Sequence, residues 1–528
     1  MISKNRLVSI IGALGLGACL LTTAHAQTTL NTSLIKRVTL STFGSDSGND
    51  CWGYVSPSGR EYAIMGLNNK IAFVEITNPA NPVVLETIPH TSSTWGDIKV
   101  YGHHAYAVTE ASGTGIQVVD MSDIDNGNVT LVRTIASPGR THNLALDTTS
   151  GFLYTCGSRN GTGTTMCFSL ADPSNPVQVG PATMTERYQH DGQAVTYTSG
   201  PLAGKQLWFG CSEDRGVDIY DFTDKNNPVL IKRVVYPDMG YCHQGWLSED
   251  RKYFYVDDEF DEGQLGVTTR SLIFNVEDPY NAFFVDSFSS GVNATDHNQY
   301  VTDGFSFQAN YRSGLRIFDL ENPESPVQVG WYDTYPTSNG SSMDGAWSNY
   351  PFFPSGNVIV SDIQGGLYII DATAALTRQR LPIAFNAQEG LATGSLEALL
   401  ASDNQYLSLI PWTNSSTDRF YVKLEVTTTT VDKSPLKASI VVEAKSNQAQ
   451  CIQAVDVFNW VTNSYEQVDS RVVGLTDAAA TIPLSGNLSR FVNPVTLQMK
   501  TRYRYSPARL ESNRLNVFVD HVRVSVTR

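Results

Sequence analysis

The 528-residue chain is 41% hydrophobic, 17% charged and 10% aromatic, too apolar and too sparsely charged to be a disordered polymer and long enough for more than one packed core. Its net charge of −15, with no basic run, argues against nucleic acid and anionic membrane as partners. With 41 Gly, 23 Pro, 24 Tyr and 22 Phe, it suits short strands and tight turns rather than long helices.

Lys4 and Arg6 precede an apolar run from Leu7 to Leu21, and Ala24-His25-Ala26 forms a small-x-small cleavage site before Gln27. This pattern predicts a secretory signal peptide over 1–26 and an exported chain, secreted or periplasmic. Leu16-Gly17-Ala18-Cys19 offers a competing reading, a lipobox that would leave a lipid anchor on Cys19 in the outer membrane. No later apolar run reaches the ~20 residues a membrane-spanning helix needs. Export permits disulfides among Cys51, Cys156, Cys167, Cys211, Cys242 and Cys451, and Cys156 and Cys167 could face each other across a Gly-rich hairpin.

A phrase of apolar strand, Asp or Asn, then Asn-Pro or Pro recurs at Ile71, Thr164, Val217, Leu272 and Leu315. A second repeated element aligns on Trp52, Trp95, His142, His190, His243, His297 and Trp347, at spacings of 43, 47, 48, 53, 54 and 50. Each unit holds four β-type runs, as in GQAVTY, KQLWFGC, VDIYDF and VLIKRVV of the fourth. Seven such units predict an all-β fold, a seven-bladed β-propeller over 27–380, with a strand at about 37–43 closing blade seven. From Leu381 the composition shifts to strands with Ser/Thr/Asn turns, which predicts a jelly-roll-like β-sandwich over 381–528.

Four histidines at equivalent positions in consecutive units point to the mouth of the channel as a ligand face, with Asp97, Glu110, His142, His190, Asp191, Glu213, His243, His297, Tyr311 and Arg312 as candidate residues. His142, His190, His243 and His297 could hold a transition metal such as zinc, or act as struts that fix blade geometry. The Trp residues in the same slot favour the strut. The run Asp257, Asp258, Glu259, Phe260, Asp261, Glu262 suits calcium through its carboxylates, but without EF-hand spacing it also reads as a solvated acidic loop. Tyr311 and Arg312 with His297 would serve a lyase or hydrolase acting on an extracellular polysaccharide. No G-x-S-x-G, P-loop, dinucleotide fingerprint or H-E-x-x-H occurs. The leading expectation is a binding or scaffolding module with a glycan or protein ligand outside the cell, and the alternative is such an enzyme.

The stretch from about Asp50 to Ile370 resembles the choice-of-anchor B family of exported bacterial proteins, built of LVIVD-type propeller repeats. The resemblance rests on CWGYVSPSGREYAIMGL, WGDIKVYGHHAYAVTEASG, THNLALDTTSGFLY, YQHDGQAVTY, CHQGWLSEDRKYFYVDDEFDE, DHNQYV, ANYRSGLRIFDL and GAWSNYPFFPSGNVIVSDIQGGLYI. It implies a secreted or surface-anchored propeller and no particular reaction. The final DHVRVSVTR carries no sorting motif or apolar tail, so anchoring through it is not expected.

Overall fold

The computed structural model describes residues 28–158, 165–412, 421–509 and 513–527. The predicted signal segment and Cys19 lie outside them. The fold is all-β and β-propeller-like, with helix limited to short turns such as Leu40–Phe43 and Asp261–Leu265.

From Gly48 to Tyr332 the strands of the described residues fall, four at a time and in chain order, into six antiparallel sheets, and Ala346–Asp371 gives three strands of a seventh. The fourth unit forms Asp191–Thr196, Gln206–Cys211, Val217–Asp221 and Val229–Val234, each within about a residue of the run that predicted it. The first strands of successive sheets pack on one another: Gly48–Val55, Gly96–Tyr101, Asn143–Asp147, Asp191–Thr196, Cys242–Leu247, Asn298–Thr302 and Ala346–Tyr350, the last of which returns to Gly48–Val55. Second strands are covered on both faces by neighbouring sheets, which is why Glu61–Leu67 and His104–Thr109 are buried at every residue. Outer strands such as Thr130–Ile135 are largely exposed. The recurrent Asp/Asn-Pro phrase makes the turn into the outer strand. There Asp172, Asp224, Asp278 and Asn322 side chains accept the backbone N–H two residues on.

The N-terminus adds two strands. Thr29–Leu30 pairs with Val327–Tyr332, and Ser33–Val38 pairs with Gly366–Asp371. The second lies about four residues earlier than the predicted 37–43, because Leu40–Phe43 winds into one helical turn ended by Gly44 at φ 60°. At the other junction, Thr377–Arg380 pairs with Val517–Thr527 and so joins the C-terminal strands, ahead of the predicted boundary at 381. Its polar sequence TRQR had hidden a strand.

The C-terminal residues form two more sheets, one ordered Leu391–Thr393, Leu407–Ile410, Val517–Thr527, Lys437–Ser446, Ala478–Pro483 and the other Pro382–Glu389, Val422–Thr429, Gln498–Pro507, Cys451–Asn459, Ser464–Val473. Both supply one apolar core that includes Leu424, Val442, Val455, Tyr503 and Val522. On the second sheet Asp456, 1% exposed, receives hydrogen bonds of 2.7 Å from both Arg502 and Arg504. Burial pushes its carboxyl up, but the two guanidinium groups outweigh that and hold it below the ordinary value. A depressed carboxyl contributes stability above its unfolded pKa, near 3.9, and loses it as pH falls through the folded value. Asp456→Asn is therefore expected to cost about 2–3 kcal/mol at pH 7, short of a fully buried pair because both arginines reach solvent, and the deficit should shrink in urea melts between pH 4 and pH 3.

The disulfide expectation is corrected. All six described cysteines are free and buried. Cys167 opposes Tyr154 while Cys156 opposes Asn143, so this pair sits two places out of register across its hairpin. Burial raises the thiols of Cys51, Cys156 and Cys211, and Cys211 only neighbours Cys242. A thiol reagent should find none of the six in the native chain and all six in denaturant; fewer than six would reveal a bridge.

Candidate metal centre at the channel mouth

A cavity of about 990 Å³ opens where the first strands begin, lined by Glu110, His142, His190, Glu213, His243, Glu259, His297 and Tyr311 among others. The four histidines form an arc, with ring centroids 4.2, 4.2 and 4.5 Å apart in sequence. Their Nδ1 atoms are committed. His190 donates to the His243 carbonyl at 3.1 Å, His243 to the His297 carbonyl at 2.8 Å, and His297 to the Trp347 carbonyl at 2.5 Å. His142 Nδ1 meets Glu110 at 2.8 Å. A carbonyl can only accept, so Nδ1 carries the proton in His190, His243 and His297 and Nε2 keeps a bare lone pair. Burial, reinforced by neighbouring histidines, lowers the pKa of His243 and His297 to about 3 and that of His190 well below its ordinary value, which keeps the rings neutral.

Strut and ligand are thus two ends of the same ring. The Nδ1 end ties one sheet to the next, and the Nε2 end is left for the cavity. His243 Nε2 lies 3.6 Å and His297 Nε2 3.8 Å from the two oxygens of Glu259, and these three residues offer ligand atoms within 4.8 Å of one another. Bonds of about 2.0–2.2 Å at tetrahedral angles separate zinc ligands by about 3.4 Å, so the spacing suits an ion better than a direct hydrogen bond. Glu259 is 8% exposed and held by the Tyr311 hydroxyl at 2.7 Å, and the Tyr311 ring lies 4.5 Å from that of His297. Tyr241 holds Glu213 in the same way at 2.8 Å. Glu213 and Tyr311 both adopt positive φ, 48° and 34°, where their turns bridge to the next first strand at Cys242 and Ala346.

Several predicted residues lie elsewhere. Asp97 is buried away from the cavity, accepting from Lys99 Nζ at 2.6 Å and from the Leu144 N–H at 2.8 Å. Asp191 lines a second cavity, about 530 Å³, at the other end of the first strands, where burial raises its pKa to about 7. Arg312 is paired with Asp344 and does not line the mouth, so it is not placed beside His297 to neutralise a substrate carboxylate. Trp95 and Trp347 do line the mouth, whereas Trp52 lies deeper and lines the second cavity with Trp246, Tyr300, Tyr350 and Phe352. Nothing in the repeat pattern marked that aromatic pocket.

The acidic run is not a solvated loop: Asp257, Asp258 and Asp261 are 0% exposed, Glu262 4%. Its members are also divided. Asp258 accepts from the Tyr236 hydroxyl and the Gly240 and Tyr241 N–H groups, and Asp261 pairs with Arg270. Asp257 accepts from Gln299 and Ser271, while Glu262 faces the Asp296 N–H at 3.4 Å and its pKa is pushed to about 9 by burial and by Asp261. Of the five carboxylates, only Glu259 belongs to a set of three ligand atoms within 4.8 Å of one another among the described residues. Glu259 joins the histidines because the strand Tyr253–Asp258 ends just before it, a placement that charge density alone concealed.

No family model and no curated protein matches the chain. Among solved structures, one described as "Structure of U3-55K" is similar at 9% identity and a TM-score of 0.44, over 64% of this chain and 98% of that one.

Proposed function

We propose that the chain is an exported binding module of the choice-of-anchor B type, a seven-bladed β-propeller followed by a β-sandwich, whose mouth holds a divalent transition metal between His243, His297 and Glu259. The observation that carries this reading is the fixed tautomer of the two histidines, which aims bare Nε2 atoms at one carboxylate. Three protein ligands leave a fourth position open, as catalytic and ligand-capturing zinc sites do, and a glycan or protein outside the cell would supply the donor atom. The serial packing of first strands supports the ring, the shared core of the last two sheets supports the sandwich, and the N-terminal sequence pattern supports export. The lyase or hydrolase alternative draws less support, since Tyr311 is buried and engaged with Glu259 and Arg312 is turned to Asp344.

Elemental analysis of the chain from Gln27, reconstituted with zinc, copper or iron, tests the proposal. About one equivalent is expected in the parent and none in the His243→Ala/His297→Ala double variant. Tyr311→Phe frees Glu259 and should weaken metal binding about 10–100-fold. A parent that takes up no metal, or a double variant that retains it, would overturn the reading.

A further inference from the structure

We propose that the C-terminal sheets bind a calcium ion between Glu443, Asp477 and Asp520, a site separate from the mouth and independent of its function. The three carboxylates offer oxygens within 4.8 Å of one another although they come from different strands. Glu443 lies on the central strand Lys437–Ser446, between Val442 and Ala444, which enter the core, so it points to the opposite face. It pairs with His521 on one side and Ala479 on the other. The next pair on the first side is Ala444 with Val519, so Asp520 is the extra residue of a β-bulge. Bulges re-aim a side chain, and this one brings Asp520 to Glu443. Asp477 immediately precedes the flanking strand Ala478–Pro483.

The carboxylates lack the partners that buried acids require. Asp520 is 1% exposed; one of its oxygens accepts the Asn404 N–H at 3.1 Å and the other has no partner. Both oxygens of Asp477 are buried without a partner. The nearby Lys445 ammonium sits 3.9 Å over the Tyr406 ring, within the attraction of Asp477 and Asp520. An all-oxygen set of charge −3 selects a hard cation. Calcium bonds of about 2.3–2.6 Å allow opposed ligand oxygens to stand about 4.8 Å apart, and calcium accepts irregular carboxylate geometry that magnesium resists. The ion would clamp the central strand to both neighbours and to the loop at Asn404.

Calcium chloride titrated into the EDTA-treated full mature chain, followed by calorimetry and thermal melting, decides the matter. The parent should bind calcium and melt at higher temperature with it. Glu443→Gln and Asp477→Asn, both at partly exposed positions, should each bind at least 30-fold more weakly at one site, lose the calcium-dependent rise in Tm, and without calcium melt no lower than the parent because repulsion is relieved. Terbium luminescence excited through tyrosine should fall in parallel, given Tyr406 beside Asn404. A parent indifferent to calcium, or variants with its full stoichiometry and Tm rise, would overturn the site. If Asp477→Asn fails to fold, Glu443→Gln decides alone. Loss of transition metal at His243 and His297 would leave this result untouched.

Discussion

A chain that begins at Thr39 is expected to lose its cooperative fold and to aggregate, while one that begins at Thr28 remains monomeric. The reason is topological. Among the described residues Ser33–Val38 is the only partner on the outer edge of Gly366–Asp371, pairing from Ser33 opposite Asp371 to Val38 opposite Leu367 with a bulge between Leu34 and Lys36. Arg37 Nε donates to the Gly365 carbonyl at 2.7 Å, and Asn31 ties the neighbouring sheet by donating to the Val329 carbonyl at 2.8 Å. Val38 packs with Phe43, Leu367 and Ile369. Removing the segment forfeits ladder bonds worth roughly 0.5–1.5 kcal/mol each and uncovers apolar side chains, a sum of about 5 kcal/mol or more against a total stability of about 5–15 kcal/mol. It also bares the edges of two sheets, which invites strand addition from other copies. Size-exclusion chromatography and urea melts of the two chains check this, and equal midpoints would mean that the N-terminal strands only decorate the fold.

The repeat made the strand order legible because each unit must bury the same faces against its neighbours, so apolar runs and Asx turns recur at the same places. Helical winding at Leu40–Phe43 was not legible, since Leu40-Ser41-Thr42-Phe43 carries strand-like residues and only the left-handed Gly44 ends it. Trp52 lies inward of the histidines for a related reason: the ladder of Gly48–Val55 shifts register between Gly48 and Cys51, so the Trp of that unit is carried past the mouth. The four histidines could be found from spacing alone, because equivalent positions on successive first strands must meet. Their partner Glu259 could not, since five carboxylates in six residues look hydrated until the fold buries them. Glu443, Asp477 and Asp520 carry no motif at all and meet only through a bulge and strand pairing.

Struts between sheets follow the same repeat as the histidines, and this separates Asp97 from the mouth. Asp50 accepts the Ile98 N–H, Asp97 that of Leu144, Gln193 that of Leu247 and Gln244 that of Gln299, at 2.8–3.0 Å. Each side chain thus bonds the backbone of the following first strand, which cannot slide without breaking the contact. Asp97 does this while also holding Lys99, which is 7% exposed, 4.0 Å from Asp50 and 4.5 Å over the Trp52 ring. Burial disfavours the Lys99 charge, but Asp97 with its neighbours outweighs it and raises the pKa well above the ordinary value. Asp97→Ala strands a buried ammonium and a strand N–H together, and should cost about 3–5 kcal/mol. Asp97→Asn keeps an acceptor for Leu144 and loses only the charge, so its cost should be smaller, about 1–2 kcal/mol. Both variants should retain the metal content of the parent, because Asp97 does not reach the cavity. Loss of metal from a stably folded Asp97→Asn chain would return Asp97 to the ligand face and remove its role as a strut.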